Sequence, residues 1–226
     1  MVSSTDRDEG FSYQVKKSQK YFNRLSLFFY DWILYGIISK YAWGCSTKRL
    51  DDHYANYISN NHLEVGVGTG YLLNRVRFHS GKVRLGLMDL SQSCLQKTAK
   101  KVARYQPEIY QQNLLEPITD SIEPFDSISI NYVMHCVPGS FKEKGIVFKH
   151  LKSLLSEGGV LFGTTVLFQN VPKGLFAKLV LAIMNQLGVF NNKHDSLEEL
   201  RDCLSSSFSH VELQVEGCTA IFVVKP

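Results

Sequence analysis

The hydrophobic pattern of this chain changes period partway along. From Phe11 to about Tyr41, apolar and aromatic residues recur at steps of three and four: Tyr21, Phe22, Leu25, Phe28, Phe29, Trp32, Ile33, Tyr35 and Ile37. That spacing puts them on one side of a helix and predicts helical structure punctuated at Gly36 and Gly44. Thr47 to Ser59 predicts a further helix, with Leu50, Tyr54, Tyr57 and Ile58 facing inward. From residue 62 short apolar runs alternate with helical segments. Strands are expected at 62–66, 82–89, 108–112, 125–132 and 160–167, and helices at 70–78, 91–105, 141–155, 172–187 and 196–206. Ser91 is placed to cap one helix, and Ser156-Glu157-Gly158-Gly159 to end another. Two last strands, 211–216 and 219–224, are separated only by Gly217-Cys218. A parallel pair needs a long crossover, so these two must form an antiparallel hairpin. The alternation predicts an α/β fold: a doubly wound, mostly parallel sheet with helices on both faces, a C-terminal antiparallel hairpin and an N-terminal helical cap. Residues 1–10 have little to bury and read as a disordered terminus, 11–50 as the cap, and 51–226 as the main domain, forming one globular unit with the cap.

Composition narrows the function classes. At 226 residues the chain can bury one sizeable core. Its net charge is +4, but the lysines and arginines are scattered apart from small groups such as Lys97 with Lys100-Lys101. That reads as solvated surface rather than a groove for a polyanion, so no nucleic-acid partner is expected. Cys45, Cys94, Cys136, Cys203 and Cys218 are odd in number and dispersed, with neither Cys-x-x-Cys nor zinc-finger spacing. Reduced thiols, a cytoplasmic setting and no metal site follow as expectations. The first ten residues are polar and acidic, so no secretory signal is expected to begin there. The most hydrophobic stretch, Leu25 to Ile38, falls short of the ~20 residues that span a bilayer and carries Asp31, so no transmembrane span is expected. Nothing in the pattern fixes an oligomeric state.

The candidate chemistry begins at His62-Leu63-Glu64-Val65-Gly66-Val67-Gly68-Thr69-Gly70-Tyr71. This reads as a strand, a tight glycine turn and a helix start, where the backbone turns sharply and a ligand approaches without meeting a Cβ. A dinucleotide fingerprint wants a further glycine three residues after the second, and here that place holds Tyr71. Glu64, two residues before Gly66, would repel a pyrophosphate and attract an ammonium group. No Gly-Lys-Ser/Thr follows, which excludes a P-loop. Asp89, followed by Leu90, ends the second strand where a carboxylate can accept both ribose hydroxyls. After the third strand, the Asn113 side chain can bond an adenine amino group while the Leu114 N–H meets a ring nitrogen. Asn131 to Pro138 follows the fourth strand, across the switch point where such sheets bind ligands. An ammonium-seeking acid, a ribose site and an adenine site together point to S-adenosylmethionine (SAM).

Glu64-to-Gly70, Asp89, Asn113-Leu114, Phe125-Asp126-Ser127-Ile128 and Leu151-to-Phe162 resemble, in order and spacing, the successive motifs of the class I SAM-dependent methyltransferases. The resemblance covers residues 55–226 and implies a Rossmann-like, seven-stranded sheet with its last strand inserted antiparallel. One departure is Asn113, where the family often carries Asp. The resemblance is nearest to the small enzymes that methylate metabolites and natural products. It implies SAM as donor, S-adenosylhomocysteine (SAH) as product, and a small acceptor methylated at O, N or C. Glu64, Gly66, Gly68, Gly70, Tyr71, Asp89, Leu90, Asn113, Leu114 and Asn131 are the expected cofactor-binding residues.

The acceptor side is less determined. Tyr30, Tyr35 and Trp43, in the aromatic segment ahead of the first strand, either pack on the sheet or shape the acceptor pocket; the segment Phe168 to Phe190 stands in the same position behind the fifth strand. Both are hydrophobic, which favours an apolar or aromatic acceptor. His135 has three readings: a general base, a wall of the pocket and acceptor site, or a structural residue. His53, His62, His79, His150, His194 and His210 read as surface or packing residues. Two rival functions share the same motifs: a SAM-binding protein without methyl transfer, such as a cofactor-dependent cyclase or regulatory subunit, and a protein methyltransferase.

Overall fold

The structure, a computed structural model, describes residues 38–79, 81–119 and 121–226. The expected terminus and most of the expected cap, with Tyr30 and Tyr35, lie outside the described residues.

Thr47–Tyr57 forms α1, capped by the Ser46 hydroxyl, which accepts the Arg49 N–H at 3.2 Å. Then come β1 (Asn61–Val65), α2 (Tyr71–Arg75), β2 (Arg84–Asp89), α3 (Gln92–Lys101), β3 (Glu108–Gln111) and β4 (Phe125–Asn131). α4 (Phe141–Lys144), α5 (Ile146–Lys152), β5 (Leu155–Val166), α6 (Leu175–Leu187), α7 (Leu197–Ser205), β6 (His210–Glu216) and β7 (Thr219–Lys225) follow. The strands make a seven-stranded sheet in the order β3-β2-β1-β4-β5-β7-β6. β1 to β5 pair in parallel, and β7 lies antiparallel between β5 and β6. The winding reverses between β1 and β4, which opens a crevice at the carboxyl ends of those strands.

The strands at that crevice are two-sided. Leu63 and Val65 of β1 and Ile128 and Ile130 of β4 belong to one apolar cluster, with Phe148, Leu151 and Phe222. The alternate residues pair across the strands on the other face, His62 with Ser127 and Glu64 with Ser129. There they meet Tyr54 of α1, beside the apolar cluster of Leu50, Leu72, Phe162 and Ile221.

Several elements are shorter than their hydrophobic pattern implies. The helix expected over 70–78 stops at Arg75, because Val76 turns extended at ψ 144° and carries Phe78 back onto Tyr105, 4.9 Å between rings. The helix expected over 141–155 divides at Gly145 and ends at Lys152. A Cβ at Gly145 would lie 2.2 Å from Cys203 Sγ on α7, so the break lets the two helices approach. Ser156 to Gly159 are not a helix terminator but already strand: β5 pairs Leu155 with Phe125 and, after a register shift, Val160 with Ser127. The helix expected over 91–105 yields after Lys101 to a 3-10 turn at Ala103–Tyr105. The one expected from 172 starts at Leu175, after Gly174 at its N-cap. Among the described residues, no helix is long and apolar enough to cross a membrane.

Candidate functional site

The crevice at the ends of β1, β2, β3 and β4 is a cleft floored by the turn that joins β1 to α2. Gly66, Gly68 and Gly70 all hold positive φ, at 69°, 50° and 71°. Two of these glycines differ in what surrounds them. A Cβ on Gly66 would come within 2.1 Å of Val133 Cγ2, so the loop after β4 packs directly on that backbone. Among the described residues, a Cβ on Gly68 would meet nothing nearer than the Gly66 carbonyl oxygen at 4.0 Å. The space above Gly68 is therefore open, a cradle that any side chain would fill.

Carboxylates stand on either side of this turn. Glu64, 5% exposed, lines the cleft and accepts hydrogen bonds at Oε2 from the Tyr54 and Ser129 hydroxyls. Asp89 ends β2; its Oδ1 accepts the Ser91 N–H at 2.8 Å and its Oδ2 the Gly68 N–H at 3.3 Å. Burial pushes its carboxyl up to about 6, against the pull of these backbone donors. Ser91 caps α3 through the Cys94 N–H, as its sequence position implies, which leaves Asp89 to brace the glycine turn.

Asn113 and Leu114 line the far wall. The Asn113 side chain is engaged within its own loop: Oδ1 accepts the Leu115 N–H at 3.1 Å, and Nδ2 donates to Glu116 at 2.8 Å. Asn131 closes the floor at the end of β4, where its Oδ1 accepts the Thr164 hydroxyl at 3.1 Å. Its Nδ2 is buried with no hydrogen-bond partner among the described residues, an orphaned donor on the wall of the cleft. Tyr71 and Leu90 also line the cleft. All ten residues expected to bind cofactor thus border one cavity. An orphaned donor, an open backbone cradle and carboxylates on either side of it fit a ligand that carries a carboxylate, an ammonium group and a ribose.

Of the residues expected at the acceptor side, the two that are described, His135 and Trp43, do not join them. His135 is buried and absent from the cleft wall; its Nδ1 accepts the Val166 N–H at 3.3 Å, and its ring lies 4.2 Å from that of Phe190. Burial, helped by the Lys144 charge, lowers its pKa to about 3, so the ring is held neutral. Trp43 is 1% exposed and packs on Phe190 at 5.8 Å, with its Nε1 buried and unpartnered among the described residues. His62 and His53 are packing residues, as expected, but His62 also sits in a buried hydrogen-bond chain.

Two other cleft residues fall in the Asn131-to-Pro138 stretch that the sequence places at the switch point. Val133 and Cys136 line the cleft because Tyr132, at φ 56°, turns the chain sharply out of β4. The Tyr132 hydroxyl lies 3.0 Å from Ser39 Oγ, tying this loop to the segment ahead of α1. Burial pushes the Cys136 thiol up to about 12, which leaves it unreactive. Tyr132 and Cys136 also pack against a second apolar cluster that holds Trp43, Val166, Leu181 and Phe190. The cleft and that cluster therefore share a wall.

The chain is similar to known proteins. A methyltransferase-domain family model matches residues 63–161. Demethylluteothin O-methyltransferase of Streptomyces thioluteus is 35% identical over 221 residues, covering 98% of this chain and 96% of that relative. The physcion biosynthesis cluster O-methyltransferase of Aspergillus chevalieri is 34% identical over 208 residues, covering 91% and 93%. Among solved structures, N-methyltransferase NodS from Bradyrhizobium japonicum in complex with SAH matches with a TM-score of 0.58 at 11% identity, over 93% of this chain and 97% of that one. The likeness to NodS is one of fold, whereas the identity to the Streptomyces enzyme runs the length of both chains. With its glycine turn, its carboxylates and its sheet order all in place, the chain belongs to the class I SAM-dependent methyltransferases.

Proposed function

We propose that this methyltransferase moves a methyl group from SAM to an O, N or C atom of a small apolar or aromatic metabolite. The observation that carries the reading is the open backbone at Gly68, set between the carboxylates of Glu64 and Asp89. Bound SAM supplies a methyl group already activated on a sulfonium centre. The chain's own work is then to hold donor and acceptor in line, within about 3–3.5 Å of each other, and to keep water out. Glu64 meets the ammonium group, Asp89 the ribose hydroxyls, and Asn113 with Leu114 the adenine. The buried Asn131 amide, lacking a partner among the described residues, donates to the carboxylate of the methionine end. The glycines and Tyr71 with Leu90 shape the wall.

An apolar acceptor is supported by the shared wall at Tyr132 and Cys136, beyond which lie Trp43 and Phe190. In this reading the segment 168–190 covers the acceptor side; Tyr30 and Tyr35, expected beside it, lie outside the described residues. The relatives named above, one acting on demethylluteothin and one from a physcion biosynthesis cluster, favour the same class of acceptor. The free thiols support a cytoplasmic setting. His135 serves in this reading as a neutral packing residue that supports β5, not as a base. Substituting it, His135→Gln, is expected to leave the pH profile of turnover unchanged; loss of an acidic limb from that profile would make it the base.

Calorimetry tests the site. SAM should bind the intact chain, and Gly68→Val and Asp89→Ala should each weaken binding by at least ~10-fold, the scale of a lost charged hydrogen bond. Unchanged affinity in both variants would defeat the assignment. Incubating extracts with methyl-labelled SAM identifies the acceptor: label should pass into a small apolar product as SAH accumulates. A transformed product without SAH would instead establish a SAM-dependent reaction that is not methyl transfer.

A further inference from the structure

The polar face shared by β1, β4 and α1 carries an inference that rests on the reading of Glu64 as the acid that meets the ammonium group. Among the described residues, every hydrogen bond to Glu64 falls on Oε2, from Tyr54 and Ser129, with His62 Nε2 at 3.5 Å. The network continues inward. His62 Nε2 lies 3.1 Å from Ser129 Oγ, and its Nδ1 2.8 Å from Ser127 Oγ. Ser127 Oγ in turn accepts the Ser59 N–H at 2.9 Å.

One proton assignment runs through the contacts from Ser59 N–H to Glu64, and leaves the Tyr54–Ser129 and Ser59–Ser127 hydroxyl approaches, at 3.1 and 2.9 Å, without a proton of their own. With Glu64 as a carboxylate, the Ser129 hydroxyl must donate to it, so Ser129 Oγ accepts from His62 Nε2–H. His62 Nδ1 is then an acceptor and takes the Ser127 proton, while Ser127 Oγ takes the Ser59 N–H. The chain runs in one direction, from a backbone N–H at the end of α1 to a single carboxylate oxygen at the cleft. His62, Ser127 and Ser129 are fully buried and Tyr54 is 1% exposed, so no water competes for these bonds.

We propose that Tyr54, Ser129 and His62 are positioning residues for Glu64. They fix Oε2 and so fix the rotamer of the whole carboxylate, leaving Oε1 as the oxygen that meets the ammonium group of the methionine end. Tyr54 comes from α1, Ser129 from β4 and His62 from β1, so the acid is aimed by three elements. None of the three positioning side chains lines the cleft. They act on the cofactor only through Glu64.

The test compares two ligands by calorimetry on the full chain. SAH carries the amino-acid end; 5′-methylthioadenosine keeps the adenine and ribose and lacks that end. Tyr54→Phe and Ser129→Ala should each raise the Kd for SAH about 10-fold, the scale of one lost hydrogen bond to a charged group, and leave that for 5′-methylthioadenosine within about two-fold. Equal losses for both ligands would mean general damage to the fold and would overturn the proposal, as would no loss for either. Tyr54→Phe keeps the buried ring, so it serves where Ser129→Ala fails to fold. Glu64→Gln in the same assay separates the proposal from its premise. If Glu64→Gln itself weakens both ligands alike, or neither, the reading of Glu64 fails. If it weakens SAH alone while the Tyr54 and Ser129 variants do not, the reading of Glu64 stands and the positioning role falls.

Discussion

At the scale of single residues, two glycines of the β1–α2 turn should fail in different ways when a methyl group is added. Gly66→Ala drives a Cβ into Val133 at 2.1 Å and strains a positive φ. Overpacking and left-handed strain together should cost at least about 2 kcal/mol of folding stability, read by urea denaturation. Gly68→Ala meets no neighbour, so its cost should stay near the ~1 kcal/mol of the strain alone, while cofactor affinity falls because the methyl group enters the cradle. Similar losses of stability in both variants would contradict the distinction. Asp89 adds a pH dependence. Its folded pKa, about 6, lies above the ordinary carboxylate value, so protonation stabilises the fold. That contribution is complete below the unfolded pKa and is lost as pH rises through about 6. The ionised form is the one that accepts ribose hydroxyls best, so SAM affinity should drop as pH falls below about 6. Asp89→Asn should remove that step, bind weakly at every pH, and melt higher than the parent at pH 7 without ligand. The Gly, Glu64 and Asp89 positions were legible in the sequence because a ligand imposes their chemistry and spacing locally. Tyr54, His62 and Ser129 were not. Their partnership needs β1, β4 and α1 to be assembled, and Ser127-x-Ser129 in isolation reads only as the alternate face of a strand.

At the scale of elements, the loop after β4 is held by a tie that the hydrophobic pattern conceals. Lys144 of α4 and Asp195, which precedes α7, form a fully buried pair at 2.7 Å, and Lys144 also reaches the Val137 carbonyl at 3.5 Å. From the same segment Asn191 donates to the carbonyls of His135 and Cys136, at 2.7 and 3.0 Å. The loop 131–138, which carries one wall of the cleft, is thereby fastened to the connection between α6 and α7. Removing one member leaves a buried charge without its partner, so Lys144→Met or Asp195→Leu should each cost about 3–5 kcal/mol. The double replacement should recover much of that, as measured by denaturant titration. Strictly additive losses would show that the pair is not coupled. The number and order of the strands, and the place of each helix among them, were legible from residue 47 onward, because each period of the pattern maps to one element type; the helix expected over 141–155 is two. The ends were not. Gly145 breaks a continuous helical pattern only because α7 approaches there, and β5 begins early only because Phe125 offers a partner to Leu155. Both causes lie far away in the chain.

At the scale of the whole molecule, buried histidines and buried acids pull stability in opposite directions with pH. Burial lowers His53 to about 4 and His135 to about 3, whereas Asp89 and Asp195 are raised to about 6. A base with a lowered pKa stabilises the fold above its unfolded pKa, near 6.5, and that contribution disappears as pH falls toward the folded value. His53 packs edge-on against Phe162 and Tyr57, so His53→Phe keeps the ring contacts and removes the proton site. The difference in unfolding free energy between pH 7 and pH 5 should then shrink by about 2 kcal/mol. An unchanged difference would mean that His53 titrates normally. The seven-stranded order, with its reversal and its antiparallel last strand, has a consequence in time as well as in space. β7 follows every other strand in the chain yet lies inside the sheet, with every residue but Lys225 buried. During synthesis the β3-β2-β1-β4-β5 half can assemble first, with the far edge of β5 unpaired and open to a neighbouring chain. Closure waits until residue 225 has left the ribosome. A ribosome-stalled chain released after Gly217 should aggregate rapidly, while one released after Lys225 should stay dispersed.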